Sequence, residues 1–333
     1  MSFNMRRSAL AAAATVALVS TALAPMTHLG GSAAQAAGKI KITYIVGQTQ
    51  DPFYASMKCG AVAEAKVLGV DVNMQGPQVW SVPNQTPIVQ AATAAHPAAM
   101  VVVPNSASQM IAPIKAAWKA GIKIVLADTT LNDTSFVSSR VSSDNVGAGK
   151  VVADTLAKLV GYKGAVTIAG YTPGGASTVD DRIKGFNQEM KKYPNIKNLG
   201  SLYTLPAGTA QSVEVQDILG VLARYPNLAG VFGTAVNAAE DASTAFREAH
   251  VQGKIKMVGF DTADVQIKAM KEGIFQALIG QEPYVMGQIA VQQAVLAVEG
   301  KKTTSFTGTP AVVVTPANLN TPAVQKLVYK FNC

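Results

Sequence analysis

Histidine and cysteine, the residues that most often carry chemistry, are scarce in this chain: 333 residues hold three His and two Cys. His28 lies in an amino-terminal leader, and His96 and His250 stand alone at helix ends before turns. No His-containing nucleophilic triad can be assembled from them, nor a His/Cys cluster at metal-ligand spacing. The loop Tyr171-Thr172-Pro173-Gly174-Gly175-Ala176-Ser177 has neither a Lys-Ser/Thr ending nor three-glycine dinucleotide spacing, and reads as a turn. Paired carboxylates can hydrolyse glycosides, but any Asp-rich cleft supplies pairs. The expectation is therefore a protein with no catalytic residues, no metal and no cofactor. Charge is sparse as well, 14% against 49% hydrophobic residues, which excludes a disordered chain. The net +8 is carried by scattered lysines without a basic run or interleaved aromatics, which argues against a nucleic-acid partner. Beyond the leader there is no apolar run of the ~18 residues that a membrane span requires.

What is present begins with the leader. Arg6 and Arg7 form a short basic region, and Ser8 to Ala24 is apolar and small, diluted by Thr15, Ser20 and Thr21 and ended by Pro25. Ala34-Gln35-Ala36 then supplies a cleavage pattern, so residues 1–36 read as a secretory signal peptide and the mature chain as starting near Ala37. No Cys lies in or just after the segment, which argues against a lipid anchor and for the periplasm of a Gram-negative bacterium. In an oxidising compartment the even pair Cys59 and Cys333 is a disulfide candidate that would pin the tail to the first half of the chain. Two free thiols are the alternative.

The mature chain contains an internal echo. His96-Pro97-Ala98-Ala99-Met100-Val101-Val102-Val103, a helix, and Gly121-Ile122-Lys123-Ile124-Val125-Leu126-Ala127-Asp128-Thr129 form one phrase. Tyr225-Pro226-Asn227-Leu228-Ala229-Gly230-Val231-Phe232, a helix, and Gly253-Lys254-Ile255-Lys256-Met257-Val258-Gly259-Phe260-Asp261-Thr262 form the other. Each runs strand, helix, apolar strand, and ends on Asp-Thr. Regular alternation of strand and helix signals predicts an α/β fold of two doubly wound parallel-sheet lobes. The expected division is residues 38–144 plus 283–310 for the amino-terminal lobe and 145–282 plus 311–333 for the other, giving a three-segment hinge.

Ligands of open parallel sheets bind beyond the carboxyl ends of the strands, so facing lobes would bring Asp128 and Asp261 to one cleft. Their alternative role is as turn residues. Asp51-Pro52-Phe53-Tyr54 closes the first strand and opens a helix: Asp51 could accept ligand hydroxyls or serve only as an N-cap. Two adjacent rings at a helix start are not expected to point inward together, so one of Phe53 and Tyr54 is assigned to the core. Thr129 beside Asp128, Gln281 at the hinge and Trp80 in the loop after the second strand complete the residue-based set, with Trp118 read as packing.

These residues carry a family resemblance. Asp51-Pro52-Phe53-Tyr54, the Asp128 strand end, Ser143-Asp144-Asn145, Arg182-Ile183-Lys184-Gly185-Phe186, Val258-Gly259-Phe260-Asp261 and Gln281 are, in order and spacing, similar to the periplasmic sugar-binding proteins of the ribose/galactose type. The resemblance implies a type I periplasmic binding protein fold, hinge closure, and ligand roles for Asp51, Phe53, Asp128, Asp261 and Gln281. Asp180 stands where ribose binders carry a gripping Arg, with Arg182 matching their second Arg. Ala235 replaces their Asn, with Asn237 two residues on. The set expected to bind substrate is thus Asp51, Phe53, Tyr54, Trp80, Asp128, Thr129, Asp180, Asn237, Asp261 and Gln281. Added negative charge disfavours acidic sugars and leaves neutral sugars or sugar alcohols, with an amine-bearing ligand conceivable. The expected function is a monomeric solute-binding subunit that hands its ligand to an ABC permease in the inner membrane. A periplasmic co-receptor for a sensor kinase or chemoreceptor is the alternative. A sugar-responsive repressor of this fold would need an amino-terminal helix-turn-helix in place of the leader.

Overall fold

The computed structural model describes residues 39–329 and 332–333, so the leader expected over residues 1–36 lies outside the described residues. The first half of the chain forms β1 (Lys41–Ile45), α1 (Pro52–Leu68), β2 (Asp71–Gln75), α2 (Val82–Ala94), β3 (Ala99–Val102), α3 (Ile111–Lys119), β4 (Lys123–Ala127) and β5 (Ser139–Ser143). There follow α4 (Asn145–Leu159), β6 (Gly164–Tyr171), α5 (Ser177–Met190), β7 (Ile196–Leu205) and α6 (Gln211–Arg224). Next come β8 (Leu228–Gly233), α7 (Val236–Glu248), β9 (Lys256–Phe260), α8 (Asp264–Lys271) and β10 (Ala277–Gly280). The last elements are α9 (Pro283–Val298), β11 (Phe306–Thr309), β12 (Val312–Val314) and α10 (Pro322–Gln325).

Local chemistry explains the boundaries. Asp51 caps α1 by accepting from the Phe53 amide, Pro52 stands at its first position where a missing N–H costs nothing, and Gly69 ends it with φ 66°. β3 and β4 are near-continuous apolar runs because helices cover both faces of their sheet, and every residue of β3 is buried.

The strands form two six-stranded sheets, ordered β11-β5-β4-β3-β1-β2 and β12-β10-β9-β8-β6-β7. These are the two parallel-sheet α/β lobes that the echo predicts, with one departure. β12 pairs antiparallel with β10, Leu278 opposite Val314. The reason is topological: β11 runs parallel in the first sheet with its carboxyl end toward the second lobe, and two residues later β12 continues straight across. A strand that enters the second sheet from the cleft must oppose strands that end at the cleft. The short polar strands β5 and β11 carry no long apolar run: β11 is the edge strand of its sheet, and β5 beside it alternates buried and half-buried positions. Trp118 is not the packing residue expected: it is 43% exposed and leans on Phe136 with ring centroids 5.9 Å apart.

Each lobe contains a helix pair that closes on glycine. α1 and α9 approach so tightly that a Cβ on Gly60 would lie 1.8 Å from the Tyr284 carbonyl. α4 and α5 do the same, with a Cβ on Gly185 falling 2.0 Å from the Val146 carbonyl. In both pairs the obstacle is backbone, which cannot rotate away as a side chain can. These contacts set where α1 and α5 begin relative to their sheets, and both helices begin at the cleft. The cysteines meet in a disulfide between Cys59 on α1 and Cys333, Cα–Cα 5.1 Å, as the compartment argument anticipated. Gly185→Ala is expected to destabilise the protein by about 2–3 kcal/mol through overpacking, read as a lowered urea midpoint at unchanged slope.

Candidate functional site

Both echo aspartates leave their strands in the left-handed region, φ 59° at Asp128 and 80° at Asp261. Non-glycine residues seldom adopt this conformation, and it persists where surrounding bonds over-determine it. The Asp128 amide donates to Val141 O (2.8 Å), and its carboxylate accepts from the Tyr54 hydroxyl (2.8 Å). The Asp261 amide donates to Ile279 O (2.8 Å). Its carboxylate accepts from the Val236 amide (3.0 Å), Tyr329 Oη (2.6 Å) and Gln281 Nε2. Asp261 thereby caps α7, whose own N-cap residue, Ala235, has no side chain able to do so.

The two strand ends share one cleft of about 530 Å³ of atom-free space, open solvent included. Of the residues expected to bind substrate, Asp51, Phe53, Tyr54, Trp80, Asp128, Asn237, Asp261 and Gln281 line it. Thr129 and Asp180 do not. Thr129 is turned away, its hydroxyl donating to Pro104 O (2.8 Å). The Asp180 carboxylate accepts from the Gly174 amide (3.0 Å) and so braces the β6–α5 loop. Phe53 and Tyr54 were not expected to point inward together, yet both are buried and both face the cleft, their rings edge to face at 5.2 Å. The start of α1 is enclosed by both lobes, so inward and cleft-facing are the same direction there.

Sequence reasoning left out Gln48, Tyr171, Thr178 and Arg182, all in the wall. Arg182 alone of these carries a signal in the sequence, as the first residue of the Arg182-Ile183-Lys184-Gly185-Phe186 segment similar to the sugar-binding family. It is buried, donates to Asn145 Oδ1 (2.9 Å), Thr234 O (2.8 Å) and Gln281 Oε1 (3.2 Å), and lies 3.6 Å from the Phe260 ring centroid. Gln48 bridges two wall residues, donating to Asp51 and accepting from the Trp80 amide. Trp80 spans the cleft mouth: its indole N–H donates to Gly175 O of the opposite lobe (2.9 Å). A second inter-lobe bond runs from the Thr130 amide to Ser177 Oγ (2.8 Å).

Three carboxylates and one guanidinium thus line the same cleft. Burial raises Asp51 to about 7, helped by the negative charge of Asp261. Burial raises Asp128 to about 6, against the pull of Arg182 and the Tyr54 hydrogen bond. Glu240, on α7, is pushed to about 7 by burial and then by Asp51. The cleft is therefore rich in hydrogen-bond acceptors, three of them carboxylates, against one guanidinium. Among the described residues no group of three or more His, Cys, Asp or Glu is arranged to hold a metal ion.

Comparison with known proteins places this architecture. Residues 42–302 match the periplasmic binding protein domain family. The chain belongs to that family. Its members bind and do not transform their ligands, in keeping with the lack of catalytic machinery in the sequence. The ribose import binding protein of Salmonella typhimurium is 28% identical over 274 residues, 81% of this chain and 88% of that protein. An ABC transporter solute-binding protein from Agrobacterium vitis bound with α-D-tagatopyranose superposes with a TM-score of 0.84 at 32% identity, over 88% of this chain and all (100%) of that one. A carbohydrate transporter solute-binding protein from Agrobacterium radiobacter, in complex with D-arabinose, gives 0.82 at 28%, covering 88% and 99%.

The charge balance of this binding protein has a consequence for stability. Asp51 and Asp128 release their protons near 3.8 when unfolded but hold them to about 7 and 6 when folded. The folded state binds more protons through that window, so stability falls as pH rises from about 4 to 7. Ligand-free protein is expected to melt about 3–5 °C lower at pH 7.5 than at pH 5.5, with the slope reduced in Asp51→Asn. Calorimetry showing a rise over that interval would contradict the assignment.

Proposed function

We propose that the chain is the solute-binding subunit of an ABC importer, capturing a neutral sugar or sugar alcohol between its lobes and delivering it to an inner-membrane permease. The observation that carries this reading is the convergence of two matched strand-end carboxylates, one from each lobe, on a cleft walled by aromatic rings. Asp51, Asp128 and Asp261 offer acceptors for ligand hydroxyls, each a charge-assisted bond. Asn237, Gln281 and Arg182 offer donors, while the rings of Phe53, Trp80 and Tyr171 match the apolar C–H faces of a sugar. Relatives that carry ribose, or have tagatopyranose or arabinose bound, support the solute class.

The acceptor surplus favours a solute presenting many hydroxyl donors and disfavours an acidic sugar, whose carboxylate would meet like charges out of water. Ala235 faces the cleft where the resemblance expects an amide, so the ribose arrangement does not transfer directly, and Asn237 is the nearest replacement. The lobes are taken as residues 38–144 plus 283–310 and 145–282 plus 311–333, and the mature protein as a periplasmic monomer released from residues 1–36. In closing on solute the lobes form the Trp80–Gly175 and Thr130–Ser177 bonds, which link the cleft edges only when they are together.

A thermal-shift screen of ligand-stripped mature protein against pentoses, hexoses, their alcohols and amino sugars tests the reading. A solute at a hundredfold excess over its dissociation constant adds about 2.7 kcal/mol to apparent stability. Asp128→Ala and Asp261→Ala should each weaken that solute by about 1–3 kcal/mol, measured by titration calorimetry. Wild-type affinity in both variants would sink the assigned cleft.

A further inference from the structure

The tail of the chain does not line the cleft, yet it bonds to a residue that does, Asp261. Val324 of α10 and Leu327 are buried in the core of the second lobe. Leu327 O then accepts from the Thr262 hydroxyl, and the Tyr329 amide donates to Thr262 O (3.2 Å). Tyr329 is 3% exposed: its hydroxyl donates to Asp261 Oδ1 and its ring meets Phe53 of the first lobe edge-on at 5.7 Å. Four positions later Cys333 is bonded to Cys59, on the helix that carries Phe53 and Tyr54 at its start. The tail is thus a fourth connection between the lobes, beside the three hinge strands of chain.

The two strand-end aspartates are handled alike. Each stands at positive φ, and each has one carboxylate oxygen fixed by a buried tyrosine hydroxyl, Tyr54 on Asp128 and Tyr329 on Asp261. Tyr54 belongs to the same lobe as its aspartate. Tyr329 reaches Asp261 from a segment whose far end is covalently held by the other lobe. On Asp261 the tyrosine hydroxyl shares Oδ1 with the Gln281 amide, and with the Val236 amide on the other oxygen these three donors together fix the rotation of the carboxylate. The other oxygen of Asp261 caps α7, so its orientation also sets the α7 amides and Asn237.

We propose that Tyr329 is a positioning residue of the binding site, orienting Asp261 for ligand, and that the Cys59–Cys333 bond holds it there by tying the tail to α1. This deepens the solute-binding reading and rests on it for the affinity part only. The test compares wild type with Tyr329→Phe, which keeps the ring against Phe53 and removes the hydroxyl. Hydrogen exchange in ligand-free, oxidised protein should show the Val236 amide exchanging about tenfold faster in the variant, with α1 and α4 unchanged. Affinity for the solute found by the screen should fall about tenfold, through faster dissociation, at a melting temperature within about 2 °C of wild type. Reducing the wild-type disulfide with dithiothreitol should reproduce part of both effects, and should add nothing to Cys333→Ser. Wild-type exchange at Val236 and wild-type affinity in Tyr329→Phe would overturn the positioning role; reduction without effect on either would overturn the part given to the disulfide. Failure of wild type to bind any polyol counts against the solute class alone, because the exchange comparison needs no ligand.

Discussion

The structure depends on carboxylates held out of water at the ends of parallel strands. Asp128 and Asp261 sit where the backbone turns through positive φ, a conformation their short polar side chains tolerate and that the bonds around them enforce. Burying such a group is costly unless it is hydrogen-bonded, and each has its donors: a tyrosine hydroxyl at Asp128, and a tyrosine, an amide side chain and a helix amide at Asp261. Much of the remaining architecture supplies those donors. α1 begins at the cleft and presents Tyr54, the hinge presents Gln281, and α7 presents its first amide.

Arg182 has the complementary task. Its three donors point to Asn145, Thr234 and Gln281, which stand on α4, between β8 and α7, and after β10. One guanidinium therefore braces two of the three chain crossings, at Asn145 and Gln281, in a cleft that three carboxylates also line. Burial and the neighbouring Asp261 make Asp51 and Asp128 hold their protons to higher pH than usual, which lessens that imbalance toward acid pH.

The relation between the sheets follows from a simple directional fact. Both sheets direct the carboxyl ends of their parallel strands at the same gap, so a chain that crosses straight from β11 into the second lobe arrives antiparallel. Trp80 and Thr130 bridge the gap by single hydrogen bonds. Such bonds are individually worth about 1 kcal/mol.

The sequence by itself determined the two α/β lobes, because alternating apolar strands and capped helices have few other packings, and the Asp128 and Asp261 strand ends, because the echo repeats them at equal places. It also placed Asp51 correctly at a helix start. The tertiary structure decided which neighbours reach the cleft. Thr129 and Asp180 sit beside cleft residues in sequence but turn to Pro104 and Gly174, whereas Phe53 and Tyr54 face the cleft together. Gln48, Tyr171, Thr178 and Tyr329 gave no local signal, since each meets its partners through contacts far along the chain. Adjacency in sequence fixes where a backbone arrives; the rotation of a strand end or helix start, set by packing across two lobes and a disulfide 274 residues in span, fixes which side chain arrives with it.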